Sequence, residues 1–302
     1  MSNKTLHIEV PETFEDNFGN PINQVFNILP ELNKDWETIV VDFSKNKFLV
    51  PHYLGPLACI LEEKRRRWIE VKVINETFYT QTVHFKNGFF KLPYNDENIN
   101  FEAYMHKTFI PVIHFPTSKL TQDSRFRVAV LSSVNQILKK QLNLPINILQ
   151  AIYYMLDELT QNIVDHSEIP FGTIFAQFYP GKKYLDLSIC DSGKGLYQSY
   201  LDSEKHNPKS NTESINYGVY GKSTKDIPES RGFGLNTSRN MLTQGMRGQF
   251  FLMTGNGFFY QNQNKEEIVA LSDRINFKGC MINLRIPLLE SDDFSLYSFT
   301  DL

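Results

Sequence analysis

The stretch Glu158-Leu159-Thr160-Gln161-Asn162-Ile163-Val164-Asp165-His166 decides how this sequence is read. It closes a predicted helix over residues 146–167, in which Ile148, Ile152, Met155, Leu159 and Ile163 recur at helical spacing as an apolar stripe. Glu158, Asn162 and His166 stand four residues apart, so they line up on an adjacent face of that helix. Asn has poor helix propensity, and an exposed mid-helix position favours Glu or Lys. The row of a carboxylate, an amide and an imidazole therefore has two readings. It is a solvated polar face, or it is a set of functional groups.

Two later segments bear on that choice. Residues 184–190 alternate Leu185, Leu187 and Ile189 with Asp186 and Ser188, the pattern of a half-buried strand with its polar residues outward. The strand runs into Asp191-Ser192-Gly193-Lys194-Gly195, a carboxylate at a strand end followed by two glycines. Further on, Arg231-Gly232-Phe233-Gly234-Leu235-Asn236 leads into a helical segment at residues 237–242. Glycine amides ahead of a helix start form a phosphate site through exposed N–H groups and the helix dipole. Between these segments, residues 197–230 are polar and rich in Ser, Asn, Lys and Gly, and read as a long loop able to close over a ligand. Each feature alone is an ordinary turn pattern, and their order along the chain is the signal.

In that order the segments resemble the gyrase, chaperone, histidine-kinase and MutL (GHKL) ATPase superfamily. Residues 158–166 look like its N box, 191–195 like its first glycine box, 219–225 like its ATP lid and 232–235 like its second glycine box. Gly279-Cys280-Met281-Ile282-Asn283-Leu284 resembles the last motif, with Cys280 where the family usually has Thr. The resemblance covers residues 121–290. It implies a Bergerat α/β sandwich with a mixed sheet, built from strands at 172–179, 184–190, 247–253 and 279–286.

The resemblance also implies roles and two cofactors, ATP and Mg²⁺. Asn162 is expected to bind Mg²⁺ through its amide oxygen, a hard ligand for a hard cation. Glu158, one turn earlier, is expected to act as general base. Asp191 is expected to accept a hydrogen bond from the adenine amino group. Gly193 and Gly195 let backbone approach the nucleotide, and Gly232 and Gly234 cradle its phosphates, in a box that also holds Phe233 and Leu235. His166, Lys194 and Lys225 are further candidate contacts, and Asp165 belongs to the N box.

Upstream, residues 6–10, 22–32, 38–43, 54–68 and 70–74 alternate strand and helix patterns, which implies a small sheet with helices packed on it. Residues 40–44 and 48–57 resemble the STAS domain of anti-sigma antagonists. Pro51 and His52 occupy the loop where that family has its phosphorylated serine, so the unit is expected to act as a docking module. The domains expected are therefore a STAS-like unit at 1–78, a junction at 79–120, the ATPase domain at 121–290 and a tail at 291–302. The fold class expected is α/β (α+β).

The remaining arithmetic fits this division. A chain of 302 residues suggests about two domains, and 24 Phe with 14 Tyr supply core material for both. With 31 Lys and Arg against 34 Asp and Glu, the net charge of −3 gives no reason to expect nucleic acid as a partner. The run Lys64-Arg65-Arg66-Arg67 suits the negative end of a helix. Cys59, Cys190 and Cys280 are scattered and do not form a disulfide framework. No signal peptide opens the chain and no apolar run is long enough for a membrane span, so a cytoplasmic protein is expected.

Only residues 288–302 follow the last strand, which argues against the gyrase, chaperone and MutL types. No histidine lies between Thr117 and Glu158, which argues against a conventional histidine autokinase. The soluble anti-sigma type of ATPase or serine kinase remains, working through a protein partner or a homodimer. The alternative is a non-catalytic ATP-gated switch, in which nucleotide closes the lid and alters STAS-like or dimer contacts.

Overall fold

The computed structural model describes residues 4–12, 17–48, 50–76, 104–118, 121–222, 224, 234–288 and 294–299. The site candidates Lys225, Gly232 and Phe233 lie outside the described residues.

The first part of the chain is β1 (Thr5–Glu9), α1 (Gly19–Leu32), β2 (Thr38–Asp42), α2 (Pro51–Arg66) and β3 (Glu70–Ile74). The three strands form a parallel sheet in the order β1-β2-β3. Parallel neighbours need a crossover, and α1 and α2 supply the two. This matches the expected small sheet with helices. Helix α2 opens on Pro51, whose fixed φ and missing N–H suit a first helical position. Its residues 51–59 are all buried, so it has no solvent face along that length.

The second part is β4 (Phe109–Pro116), α3 (Thr121–Leu142), α4 (Ile146–His166), β5 (Phe171–Tyr179), β6 (Tyr184–Asp191), α5 (Gly195–Asp202), α6 (Asn211–Val219), α7 (Gly234–Asn240), β7 (Gln249–Gly255), β8 (Gly257–Gln261), β9 (Glu266–Ala270) and β10 (Phe277–Pro287). The seven strands pair in the order β4-β5-β6-β10-β7-β8-β9.

The expected mixed sheet is corrected: every pairing in it is antiparallel. Strands β5 and β6 are joined by a short turn, and β7, β8 and β9 run on as a meander. The long β10 then returns between β6 and β7, antiparallel to both. No crossover therefore leaves two parallel strands side by side. Strands β4, β8 and β9 are additions to the four expected. Strand β4 lies inside the stretch read as a junction, where it pairs with β5 at the sheet edge.

One face of the large sheet carries Leu185, Leu187 and Ile189 of β6 beside Ile286, Leu284 and Ile282 of β10, and packs against α3 to α7. The other face carries Asp186, Ser188 and Cys190 beside Arg285, Asn283 and Met281, and lies under α1 and α2. The half-buried reading of β6 is thereby corrected. Asp186 is 1% exposed and Ser188 is fully buried, because α2 covers the face expected to meet water. Phe26 of α1 packs on Phe251 and Phe258, and Phe18 on Tyr260, so the same face is closed along β7 and β8. The layers run from small sheet to α1 and α2, large sheet, and α3 to α7, through one continuous apolar core.

The three cysteines are free, and no described helix is long and apolar enough to cross a membrane.

Candidate functional site

Helix α4 sits against the large sheet through Ile148, Ile152, Met155, Leu159 and Ile163, all buried as the stripe requires. That seating turns Glu158, Asn162 and His166 sideways, and all three are half-buried. At the C-terminal half of α4 a cavity opens between the helix, the sheet and α5 to α7. Helix α4 and its cap contribute Asn162, His166 and Ser167. The sheet contributes Asp191, Cys280, Ile282 and Leu252, and α5 contributes Gly195, Ser199 and Tyr200. Lys222, Thr224, Gly234 and Leu235 close the remaining side. Its volume of about 110 Å³ is several times the ~10–15 Å³ that a single water needs, so it is no packing void.

Strand register builds the floor. Asp191 of β6 is paired with Cys280 of β10, which is paired with Thr254 of β7, so the three share one face in a row across the sheet. Asp191 is 3% exposed, and its Oδ1 accepts a hydrogen bond from the Gly193 N–H at 2.8 Å. Burial raises its carboxyl to about 7, against the pull of backbone N–H groups of Gly193 and Cys280 that favour the anion. A buried carboxylate on a cavity floor is a strong acceptor for a ligand N–H. Beside it, the Ser167 hydroxyl is buried and has no hydrogen-bond partner among the described residues. An unmet buried hydroxyl in a cavity wall is a place where a ligand atom relieves a cost of ~1–3 kcal/mol.

Glycines allow the walls to close in. Gly195 begins α5 at φ +73°, a conformation that L side chains rarely adopt, and a Cβ there would run into the Thr254 hydroxyl, which accepts from the Leu196 N–H. Gly234 begins α7 so close to α4 that a Cβ there would overlap the Glu158 carboxylate. Glu158 therefore packs at the start of α7 and does not line the cavity.

Of the residues expected from sequence, Asn162, His166, Asp191, Gly195, Gly234 and Leu235 line the same cavity. Gly193 supports it from behind through its bond to Asp191. Asp165 accepts from Gln161 Nε2 at 3.0 Å and lies off the cavity. Lys194 points away, held by Glu168 at 2.7 Å and Asp202 at 2.8 Å.

Sequence reasoning passed over Ser167, Ser199, Tyr200 and Thr254. Ser199 and Tyr200 fell in the stretch read as a loop, which instead contains α5 and α6. A signal for α6 was present. Ser210 caps it by accepting from the Glu213 N–H, and Glu213 reaches back to the Lys209 N–H, a close variant of the capping box. Tyr200 donates to the Lys222 carbonyl at 2.6 Å, which ties α5 to the chain leaving α6.

Compared with known proteins, the chain matches no family model, no curated protein and no solved structure.

Proposed function

We propose that this chain is a cytoplasmic Mg-ATP-binding signalling protein of the histidine-kinase-like (GHKL) ATPase type, with a STAS-like N-terminal unit, acting on a protein partner as an ATPase or serine kinase. The observation that carries the reading is the convergence at one cavity. A buried carboxylate, Asp191, lies on its floor, the Asn162 and His166 side of α4 forms one wall, and Gly234 opens another. An adenine amino group donating to Asp191 meets an acceptor already desolvated and braced by Gly193. The Ser167 hydroxyl, which has no partner among the described residues, suits a second polar atom of the base. Lys222 and Thr224 also line the cavity and are candidate phosphate contacts, and Lys222 carries a cation held over the Tyr217 ring at 3.6 Å.

Asn162 fits a Mg²⁺ that is shared with phosphate oxygens, since one neutral oxygen ligand suffices when the nucleotide supplies the anionic ones. When bound, that ion would neutralise phosphate charge. Glu158 is placed by Gly234 and fits a general base only if α7 shifts to admit a water beside it.

The position of Glu158 off the cavity favours a second reading, an ATP-gated switch without turnover. Calorimetry with Mg-ATP and phosphate transfer from γ-labelled ATP test both. Absence of binding overturns the proposal. Binding with turnover that Glu158→Ala abolishes supports the enzyme. Binding that Glu158→Ala leaves intact, with no turnover in either protein, supports the switch.

A further inference from the structure

The first turn of α2 presses His52 onto the back of the sheet that floors the cavity. His52 is fully buried, and its Nε2 lies 3.3 Å from Asp186 Oδ1 of β6. Arg285 of β10 grips the same carboxylate from the side, with Nε and Nη2 at 2.8 Å from its two oxygens. Phe18 covers the imidazole edge-on at 4.6 Å. Burial opposes ionisation of Asp186, but His52 and Arg285 outweigh it and hold the carboxyl below its usual value. The next turn of α2 brings Gly55 onto Ser188 of β6, so close that a Cβ would overlap the serine side chain. The docking of α2 is therefore specific in both charge and shape.

The two strands bound by this cluster are the two that carry the cavity floor. Asp191 follows Asp186 by 191 − 186 = 5 residues on β6, and Cys280 precedes Arg285 by 285 − 280 = 5 on β10. An odd separation puts cluster and floor on opposite faces of the sheet, about 17 Å apart along each strand at ~3.3 Å per residue. Close-packed interiors transmit strain, so the pitch of β6 against β10 at the cluster is felt at the floor.

We propose that His52 is a positioning residue for the cavity: through Asp186 and Arg285 the N-terminal unit fixes the β6–β10 pair and so sets ligand affinity. The proposal rests on the nucleotide reading only for the identity of the ligand. The N-terminal unit is then a structural half of the site, and any partner that pulls on α2 weakens ligand binding by the same factor that ligand weakens the partner's pull.

The test uses the full chain with His52→Leu, which removes the imidazole that sits against Asp186, and His52→Gln, which keeps a polar side chain there. Without any ligand, amide hydrogen exchange in His52→Leu is expected to rise about tenfold at residues 187–193 and 279–283, with the β8–β9 hairpin unchanged. His52→Gln is expected to stay near the parent protein. Calorimetry with Mg-ADP is expected to show a ~5- to 10-fold loss of affinity in His52→Leu, the scale of ordinary site-to-site coupling. Exchange in His52→Leu that is unchanged at the floor, or raised equally in every strand, overturns the proposal. If the parent protein binds no nucleotide, the exchange readout still decides it, and only the nucleotide reading fails. If His52→Leu does not fold, Arg285→Lys keeps the charge but loses the two-point grip. The same local pattern is then expected, and its absence counts equally against the idea.

Discussion

Asp191→Asn removes one buried charge from the cavity floor and separates stability from binding. The Asp191 carboxyl titrates at about 7 in the folded chain because burial raises it from the ordinary 3.8. Between those values the folded chain holds a proton that the unfolded chain has lost. Stability therefore falls as pH rises from about 4 to about 7 and levels off above. A difference of about 3 pKa units at ~1.4 kcal/mol each puts the full effect at about 4 kcal/mol. Asn has no such titration and keeps an Oδ1 for the Gly193 N–H. The variant is thus expected to match the parent within ~1 kcal/mol at pH 4 and to exceed it by ~2–4 kcal/mol at pH 8. Urea unfolding followed by circular dichroism at pH 4, 6 and 8 measures the gap. A gap that is the same at all three values refutes the argument. At pH 8 the same variant should bind Mg-ATP at least ~10-fold more weakly, because a hydrogen bond to a charged acceptor is worth ~1.5–3 kcal/mol.

Three further outcomes follow from the packing. Gly55→Ala should destabilise by ~1–3 kcal/mol in urea unfolding, and adding Ser188→Gly should recover most of that, since the added methyl then has room. Lys194→Ala should leave nucleotide affinity within ~2-fold and stability within ~1 kcal/mol, because its carboxylate partners are largely exposed. Gly234→Ala should cost little stability, since the flexible end of Glu158 can move, but should abolish any turnover. Retained phosphate release in that variant would show that Glu158 has no part in the chemistry.

What the sequence disclosed depended on whether a pattern was local. Helix α4 was legible because its stripe has one period and one buried face, and the Glu158, Asn162, His166 row followed from it. Strand β6 was legible as a strand, but alternation states only that its two faces differ. It cannot say that α2, far away in the chain, covers the polar one. Strand β4 was hidden by Pro111 and Pro116, which punctuate it as they would a linker. Proline is tolerated there because β4 is an edge strand, and the register slips between Ile110 and Ile113 where Pro111 sits. The β8–β9 hairpin left a trace in Asn262, whose Oδ1 accepts from the N–H groups of Asn264 and Lys265 to form the turn. At the site, Asp191 was found through its place at a strand end, whereas the direction of Lys194 depended on Glu168 and Asp202.

The placing of β10 between β6 and β7 has a consequence for how the protein is made. This central strand is the last of the described strands to leave the ribosome, and until it arrives β6 and β7 are open edges with no partner between them. A nascent chain that stops short of residue 277 can build the three-stranded sheet and the β5–β6 hairpin, but it has no cavity floor. The backbone edges of β6 and β7 meant for β10 then stay unpaired until it arrives, a state that invites aggregation. Final closure of the sheet is thus a late, long-range event, and the binding site comes into being only with it.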